Sequence, residues 1–396
     1  MSRIDDMIRE MCPDGVESRT LGEVGEFIRG NGLQKKDFAD SGMPCIHYGQ
    51  IHTRFGVATD QVVAWVPEDL GVRLKHARPG DLLVATTSED DAAVAKATAW
   101  IGDDEVAVGG DMFIFRHSLD PKYVSYFFAS SSFQNQKRQF IAGAKVRRIN
   151  SAGLSRILVP VPPLVVQREI VGILDQFTEL EAELEAELEA ELEARKAQAT
   201  YARTEILHQA SLEAPTRLLG DICEVHDSRR KPVKRGDRVA GPYPYFGANG
   251  VQDWVDSFIF DGEYVLIGED GSVMTPDGGP VVTWLSGKAW VNNHAHVVAG
   301  SDVLLTRYLF HILQTVDVRP LIAGVPPKLN QANLRGIEIS VPTLDRQREV
   351  IQALDTLEQL SGSINSGIPA EIAARRQQYE YYRDKLLTFP EKEAGA

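Results

Sequence analysis

Cysteine is scarce in this sequence, and several other absences remove whole classes of function. The three cysteines among 396 residues, Cys12, Cys45 and Cys223, are odd in number and far apart. That fits reduced thiols in a cytoplasmic protein and not a disulfide framework. No apolar run reaches the ~18–20 residues of a membrane span, and the opening Met1-Ser-Arg-Ile-Asp-Asp6 does not make a secretory signal. There is no Gly-x-x-x-x-Gly-Lys-Ser/Thr phosphate loop, no Asn/Asp-Pro-Pro-Tyr/Phe tetrapeptide and no strand–Gly-x-Gly–helix unit for S-adenosylmethionine. No catalytic residue, metal site or cofactor is therefore expected in this chain. Positive charge is also short: 42 Lys and Arg face 56 Asp and Glu, a net charge of −14. Taken globally, that argues against a nucleic-acid partner.

The acidity is segregated, however. From Phe177 to Ala194 the chain repeats Glu-Ala-Glu-Leu, and the eight glutamates between Glu179 and Glu193 account for eight of the fourteen net negative charges. Leu180, Leu184, Leu188 and Leu192 recur every four residues among strong helix formers. A period of four drifts by roughly 40° per repeat on an α-helix, too far for a left-handed heptad supercoil. Glutamates at i and i+4 also repel, by about 0.2–0.5 kcal/mol a pair. A helix that stays regular at this cost reads as a spacer whose length matters. Outside it, basic residues cluster at Lys35-Lys36, Lys137-Arg138, Lys145-Val-Arg147-Arg148 and Arg229-Arg230-Lys231, the last followed by Lys234 and Arg235.

Taken in order, the chain writes one unit twice. A short helix over residues 1–12 stops at Pro13-Asp14-Gly15. Strand-like runs follow at Val62–Val66, Leu82–Thr87, Val106–Val108 and Met112–Phe115. Residues 121–139 look helical, a basic loop spans 143–150, Leu154 to Pro163 looks like a strand, and a helix of ~44 residues, or ~66 Å, runs from about Val165 to His208. The second half then repeats the order. Leu218-Leu-Gly-Asp-Ile222 answers Thr20-Leu-Gly-Glu-Val24 at an offset of 198. Later the offset is 180: Asn150, Leu154, Pro162, Gln167 and Asp175 match Asn330, Leu334, Pro342, Gln347 and Asp355, and beyond the spacer Arg195, Gln198 and Tyr201 match Arg375, Gln378 and Tyr381. This is a tandem duplication. It predicts two globular units joined by two long antiparallel helices with pseudo-twofold symmetry. The second helix carries Ser361-Gly-Ser-Ile-Asn-Ser-Gly-Ile-Pro369, so a break is expected near 361–369, giving helices at about 344–360 and 369–388.

The opening Met11-Cys-Pro-Asp-Gly-Val-Glu17, the Glu-Ala-Glu-Leu rod, Lys328-Leu-Asn-Gln-Ala-Asn-Leu334, Val341-Pro-Thr-Leu-Asp-Arg-Gln347 and Arg375-Arg-Gln-Gln-Tyr-Glu-Tyr-Tyr-Arg-Asp-Lys-Leu-Leu387 together resemble the specificity subunit of type I restriction–modification enzymes. The resemblance covers essentially the whole chain. It implies an α+β protein: a first target-recognition domain over 1–163, a spacer helix over 164–210, a second recognition domain over 211–343 and a second helix over 344–390. It implies a partner set of double-stranded DNA with a split target site, two methyltransferase subunits and restriction motor-nuclease subunits. S-adenosylmethionine, ATP and Mg would belong to those partners. The four-residue repeat would set the gap between half-sites: one unit adds ~6 Å of helix against ~3.4 Å per base pair. Two rivals stand beside this reading, a coiled-coil protein–protein adaptor and a specificity subunit of a related fused nuclease–methylase system.

Basic loops at equivalent places carry the DNA expectation. Lys145, Arg147 and Arg148 follow Phe140-Ile-Ala-Gly143 as Lys328 follows Leu321-Ile-Ala-Gly324. They are either solvated charges or phosphate contacts, which position a domain without reading sequence. Lys35, Lys36, Arg229, Arg230 and Lys231 take the same reading. Candidate base readers are Gln50, His52 and Thr53, then Thr86, Thr87 and Ser88, with Asn249 and Ser272 in the second half. Asn292, Asn293 and His294 join them, since Asn can bridge adenine N6 and N7. Glu269, like the acidic run 89–91, either orders a turn or accepts from cytosine N4. His294 and His296 fall at i and i+2, one face of a strand, where a metal pair would lack further ligands. Trp65, Trp100, Trp254, Trp284 and Trp290 are expected in the core. Arg195, Gln198, Tyr201, Arg375, Gln378 and Tyr381 serve either helix pairing or partner docking.

Overall fold

The computed structural model describes residues 3–212, 214–276, 278–390 and 392, with backbone alone at 364 and 365. The chain divides into two units: one takes the residues up to Glu187 and those from Ala370 onward, the other Leu188–Pro369.

Unit 1 is built on a five-stranded sheet in the order Gly25–Arg29, Met112–His117, Leu82–Ala85, Ala97–Trp100, Ala58–Thr59. Its neighbours are antiparallel except the last pair. The run Met112-Phe-Ile-Phe115 is apolar on both sides because both faces are covered. Phe113 and Phe115 pack with the helical side of the core, while Met112 and Ile114 point to the opposite layer. That layer is a four-stranded sheet with Met43–Ile46 and Val106–Val108 at its centre. Two helices, Pro121–Ala129 and Ser131–Lys137, stand where one was expected over 121–139. The first is capped by Asp120, whose carboxylate accepts from the N–H groups of Lys122 and Tyr123 at 3.0 and 3.1 Å. The Ser130 hydroxyl caps the second by accepting from Phe133 N–H, which is why the helix restarts there. Leu154 ends a short helix, Ser151–Leu154, and only Leu158–Pro160 of the expected strand is extended.

Unit 2 carries one six-stranded sheet: Glu224–Val225, Ala295–Ala299, Phe260–Gly268, Val282–Val291, Ala240–Gly247, Gly250–Val255. Val265 and Ile267 face the helical core and Leu266 the other side, the period-2 alternation of a strand buried on both faces. Trp254, on the edge strand, is 55% exposed and so is not the core anchor expected of it.

The duplication is visible bond by bond. Ser18–Thr20 pairs with Leu158–Pro160 as Thr216–Leu218 pairs with Glu338–Ser340, in the same register. The buried amide of Gln167 donates to Pro162 O and accepts from Asp120 N–H, and that of Gln347 donates to Pro342 O and accepts from Leu305 N–H. Tyr123 donates to Pro160 O, as Tyr308 does to Ser340 O. Asp175 takes Lys122 and Tyr126 where Asp355 takes Arg307 and His311. A glycine closes each unit in the same way: a Cβ on Gly22 would sit 3.1 Å from Ser155 Cβ, and one on Gly220 would sit 2.7 Å from Arg335 Cβ.

Both long helices are continuous, over Leu164–Ser211 and Leu344–Leu386. The break expected near 361–369 is absent, and Pro369 lies inside the second helix. Proline removes one intrahelical N–H and costs roughly 3 kcal/mol. That loss is met by anchorage on either side, Leu354 in the unit 2 core and Leu387 in the unit 1 core. Gly362 and Gly367 have open space where a Cβ would stand, so no neighbour forces a bend. In unit 1 the two helices pair antiparallel, Thr178 against Tyr379 at 3.0 Å between hydroxyls and Glu185 against Arg376. The drift of the four-residue period is visible there. Leu180 faces solvent, and Glu181 and Glu185 take its place in the seam. Burial, with Glu185 beside it, pushes the Glu181 carboxyl above its usual value.

Candidate nucleic-acid interface

In each unit a basic loop is hooked onto the loop that ends a central strand. Both basic loops start from a glycine with positive φ, Gly143 at +97° and Gly324 at +91°, a backbone that glycine adopts freely. In unit 1, Arg147 and Arg148 then form a short antiparallel pair with Ser88 and Thr87, and Ile149 N–H donates to Thr86 O at 3.2 Å. In unit 2, Lys328 bridges to Asp270, and Leu329 N–H donates to Glu269 O at 2.9 Å. The two hooks differ in side chains and agree in backbone.

The unit 1 hook gathers several of the expected residues. His52 Nε2 donates to Thr87 O at 3.0 Å, which fixes the proton on that nitrogen. Arg147 Nε lies 2.8 Å from Asp91, and Lys145 and Arg148 are exposed beside it. Thr86 and Thr87, however, are each 8% exposed. Their backbones hold the hook and their side chains do not reach a groove, which corrects that expectation; Ser88 is half-buried. Gln50 caps its own helix, accepting from His47 N–H at 2.9 Å, and Thr53 donates to Gly49 O. Lys35 and Lys36 are exposed in a separate turn, Lys35–Asp37, with no hydrogen bond to the hook among the described residues.

A residue the sequence reading passed over supports this hook from below. The Lys137 side chain is 1% exposed, and its ammonium donates to Ala92 O at 2.8 Å and Val94 O at 2.6 Å. Burial pulls it down to about 8. Lys137-Arg138 stood out in the sequence only as a pair of charges; nothing in the pattern marks one of them as buried. Ala95, at φ +64°, ends the loop it holds.

Unit 2 gathers a different set. Asn293 and His294 are exposed, and His294 Nδ1 meets Asp270 at 2.5 Å. Ser272 and Asn249 are exposed on neighbouring turns. Asn292, 3% exposed, accepts from His294 N–H and donates to Gln252, so it shapes the turn and cannot bridge a base as expected. His296 is buried, with Nδ1 2.6 Å from Asp227 and Nε2 2.8 Å from Leu329 O. His294 and His296 thus have separate partners, because the strand begins only at Ala295.

Beneath this loop cluster lies a buried ionic group. Arg230 reaches Glu269 at 2.5 Å, Asp227 at 3.3 Å and Ala295 O at 2.8 Å. Glu269 also takes Lys328 at 3.1 Å. Burial alone would raise the Asp227 carboxyl, but the His296 hydrogen bond, Val297 N–H and the His296 and Arg230 charges outweigh it and hold it below the usual range. Glu269 is depressed against burial in the same way, chiefly by Arg230 and Lys328. Two expectations are corrected here: Arg230 is no phosphate contact and Glu269 no free acceptor for cytosine, because each is already held by partners within the buried group. Asp227, Glu269 and His296 have metal-like spacing, yet the Arg230 guanidinium already stands among them as their cation. Arg229 lies over the Phe260 ring at 4.6 Å and donates to Ile259 O. Lys231 remains exposed.

On the long helices, Arg195, Gln198 and Tyr201 are exposed in unit 2, as Arg375, Gln378 and Tyr381 are in unit 1. Tyr201 is 71% and Tyr381 62% exposed. Arg195 pairs with Glu191 at 3.4 Å as Arg375 pairs with Glu371 at 3.3 Å. Equal exposure at equal places disfavours helix pairing as their role. Among the described residues no helix is long and apolar enough to cross a membrane.

The family model of the type I restriction modification DNA specificity domain matches residues 13–194 and again 213–374. A type I restriction enzyme specificity subunit of Haemophilus influenzae is 40% identical over 184 residues, covering 45% of this chain and 47% of that one. The EcoprrI specificity subunit of Escherichia coli is 31% identical, covering 54% of this chain and 56% of its own length. The chain thus matches about half the length of these two relatives. A solved chain from a study of complex assembly and conformational transition in the type I R-M system superposes with a TM-score of 0.75 at 17% identity, over 94% of this chain and 97% of that one. The HsdS subunit of Thermoanaerobacter tengcongensis superposes at 0.58, also at 17% identity, over 95% and 97%. With two matched copies over most of its length, the chain belongs to the family of type I restriction modification DNA specificity domains.

Proposed function

We propose that this chain is the non-catalytic DNA-recognition subunit of a type I restriction–modification enzyme, reading a bipartite site with one unit per half-site. The observation that carries the reading is the repeated hook, Arg147-Arg148 on Thr87-Ser88 and Lys328 on Asp270. A basic loop fixed at the same place in both units of an acidic chain supplies phosphate contacts that set each unit on the duplex. Gln50, His52, Thr53, Ser88, Asn249, Ser272, Asn293 and His294 are the candidates for base contact. Arg195, Gln198 and Tyr201, with Arg375, Gln378 and Tyr381, offer two equivalent docking faces for two methyltransferase subunits, to which restriction subunits add. S-adenosylmethionine, ATP and Mg act in those partners, in the cytoplasm beside genomic DNA.

Adenine-methylation mapping tests the reading in cells carrying this chain with its methyltransferase, with and without one Glu-Ala-Glu-Leu unit. A split motif whose gap shortens by one or two base pairs on deletion is the expected result, since each unit spans ~6 Å. An unchanged gap, or no methylation although the complex assembles, sinks the spacer reading and favours a protein adaptor.

A further inference from the structure

One cation of each hook already has an anionic partner. Arg147 holds Asp91 at 2.8 Å, with side chains 35% and 55% exposed, and Lys328 holds Glu269 at 3.1 Å, with side chains 49% and 13% exposed. The carboxylates come from the loop onto which each basic loop is hooked, but not from matching positions. Through the hook bonds, Glu269 stands where Thr86 stands in unit 1, since each gives its carbonyl to the residue after the last basic residue of the hook, Leu329 or Ile149. Asp91 lies five residues further along. Duplication therefore did not hand the ion pair down; each unit meets the same electrostatic condition with its own residue. Resting on the DNA-recognition reading, we infer that Asp91 and Glu269 are intramolecular stand-ins for a DNA phosphate, which neutralise Arg147 and Lys328 until the duplex displaces them.

A bare cation at the hook would take a phosphate from any duplex and release a counterion with it. With Asp91 in place, the same contact exchanges one ion pair for another. The carboxylate set free must recover a solution cation, so net ion release falls by about one and the sequence-independent part of binding stays weak. An exposed pair of this kind is a modest mask. Exposed pairs of ~0.2–1 kcal/mol correspond to a factor of roughly 1.4 to 5. Glu269 masks Lys328 more firmly because Arg230 fixes the carboxylate from the other side.

The test uses the full chain and a ~30-base-pair duplex of random sequence, titrated across a range of KCl concentrations. Asp91→Asn is the informative variant. The site is half-exposed, whereas Glu269 belongs to a buried group whose loss would destabilise unit 2. Asp91→Asn is expected to bind about 1.4- to 5-fold tighter, with a log-log salt slope steeper by up to about one. Arg147→Ala is expected to cancel that gain, and in the double-mutant cycle the coupling should account for the whole effect. Equal binding by Asp91→Asn and wild type overturns the inference. So does an undiminished gain in the Arg147→Ala background, which would make Asp91 a through-space repeller of DNA. A wild-type chain that binds no duplex at low salt, with every variant equally silent, overturns the DNA-recognition reading and the inference with it.

Discussion

Unit 1 and unit 2 share a base and differ in what they raise on it. The base consists of the buried glutamine on the Pro162 or Pro342 carbonyl, the tyrosine on the small two-stranded sheet, the aspartate on the long helix and the glycine against its neighbour. Above it, unit 1 packs two sheets around apolar clusters, while unit 2 raises one larger sheet over a buried ionic group. Duplication has kept the bonds that fix chain direction and hook position, and the sheets above them have diverged in strand number, charge and side chain.

The comparison can be broken most forcefully at Arg230, which has no counterpart in unit 1. Arg230→Ala removes the guanidinium that Asp227 and Glu269 share in a mostly buried site and leaves them only His296 and Lys328, a loss of up to about 3–5 kcal/mol. Hydrogen exchange should report deprotection of unit 2 peptides with unit 1 peptides unchanged. Uniform deprotection of both units would mean that they do not unfold independently. The depressed Asp227 and Glu269 carboxyls set a matching acid limit. Their stabilisation is present above the ordinary values of 3.8 and 4.5 and is lost as pH falls through the lower folded values, so unit 2 should open before unit 1 in acid.

The shared base gives a symmetric pair of tests. Gln167→Ala and Gln347→Ala each strand buried backbone groups, at about 1–3 kcal/mol each. The losses should match and stay local, each measured by denaturant titration followed in its own unit. A silent substitution in one unit would end the equivalence. Lys137 sharpens the contrast at alkaline pH. Between about 8 and 10.5 the unfolded chain keeps a proton that folded Lys137 has lost, so unit 1 gains stability as pH rises, by up to about 1.4 kcal/mol per pH unit. Lys137→Met should flatten that limb in unit 1 and leave unit 2 alone. The smallest stability effect belongs to Tyr201→Ala and Tyr381→Ala. Both side chains are mostly exposed, so unfolding should shift by less than about 0.5 kcal/mol. On the docking role proposed for them, each should nonetheless weaken capture of one methyltransferase copy, read as a loss of stoichiometry in native mass spectrometry.

The sequence alone determined what depends on residue type at fixed spacing. The 198 and 180 offsets carried the duplication, and the Glu-Ala-Glu-Leu run carried the first long helix, because propensity and period act locally. Tertiary structure decided which polar residues remain available. Thr86, Thr87, Asn292, Arg230 and Glu269 look like groove-facing side chains in sequence, yet each is committed to neighbours distant in the chain. Arg230 and Glu269 lie 39 residues apart and meet at 2.5 Å only because two loops close over His296. Lys137 and the carbonyl of Ala92, 45 residues apart, are brought together in the same way. Pro369 marks the opposite limit. Its local cost argues for a break, and anchorage of the helix in two cores overrides it, because packing summed over many residues outweighs one missing hydrogen bond.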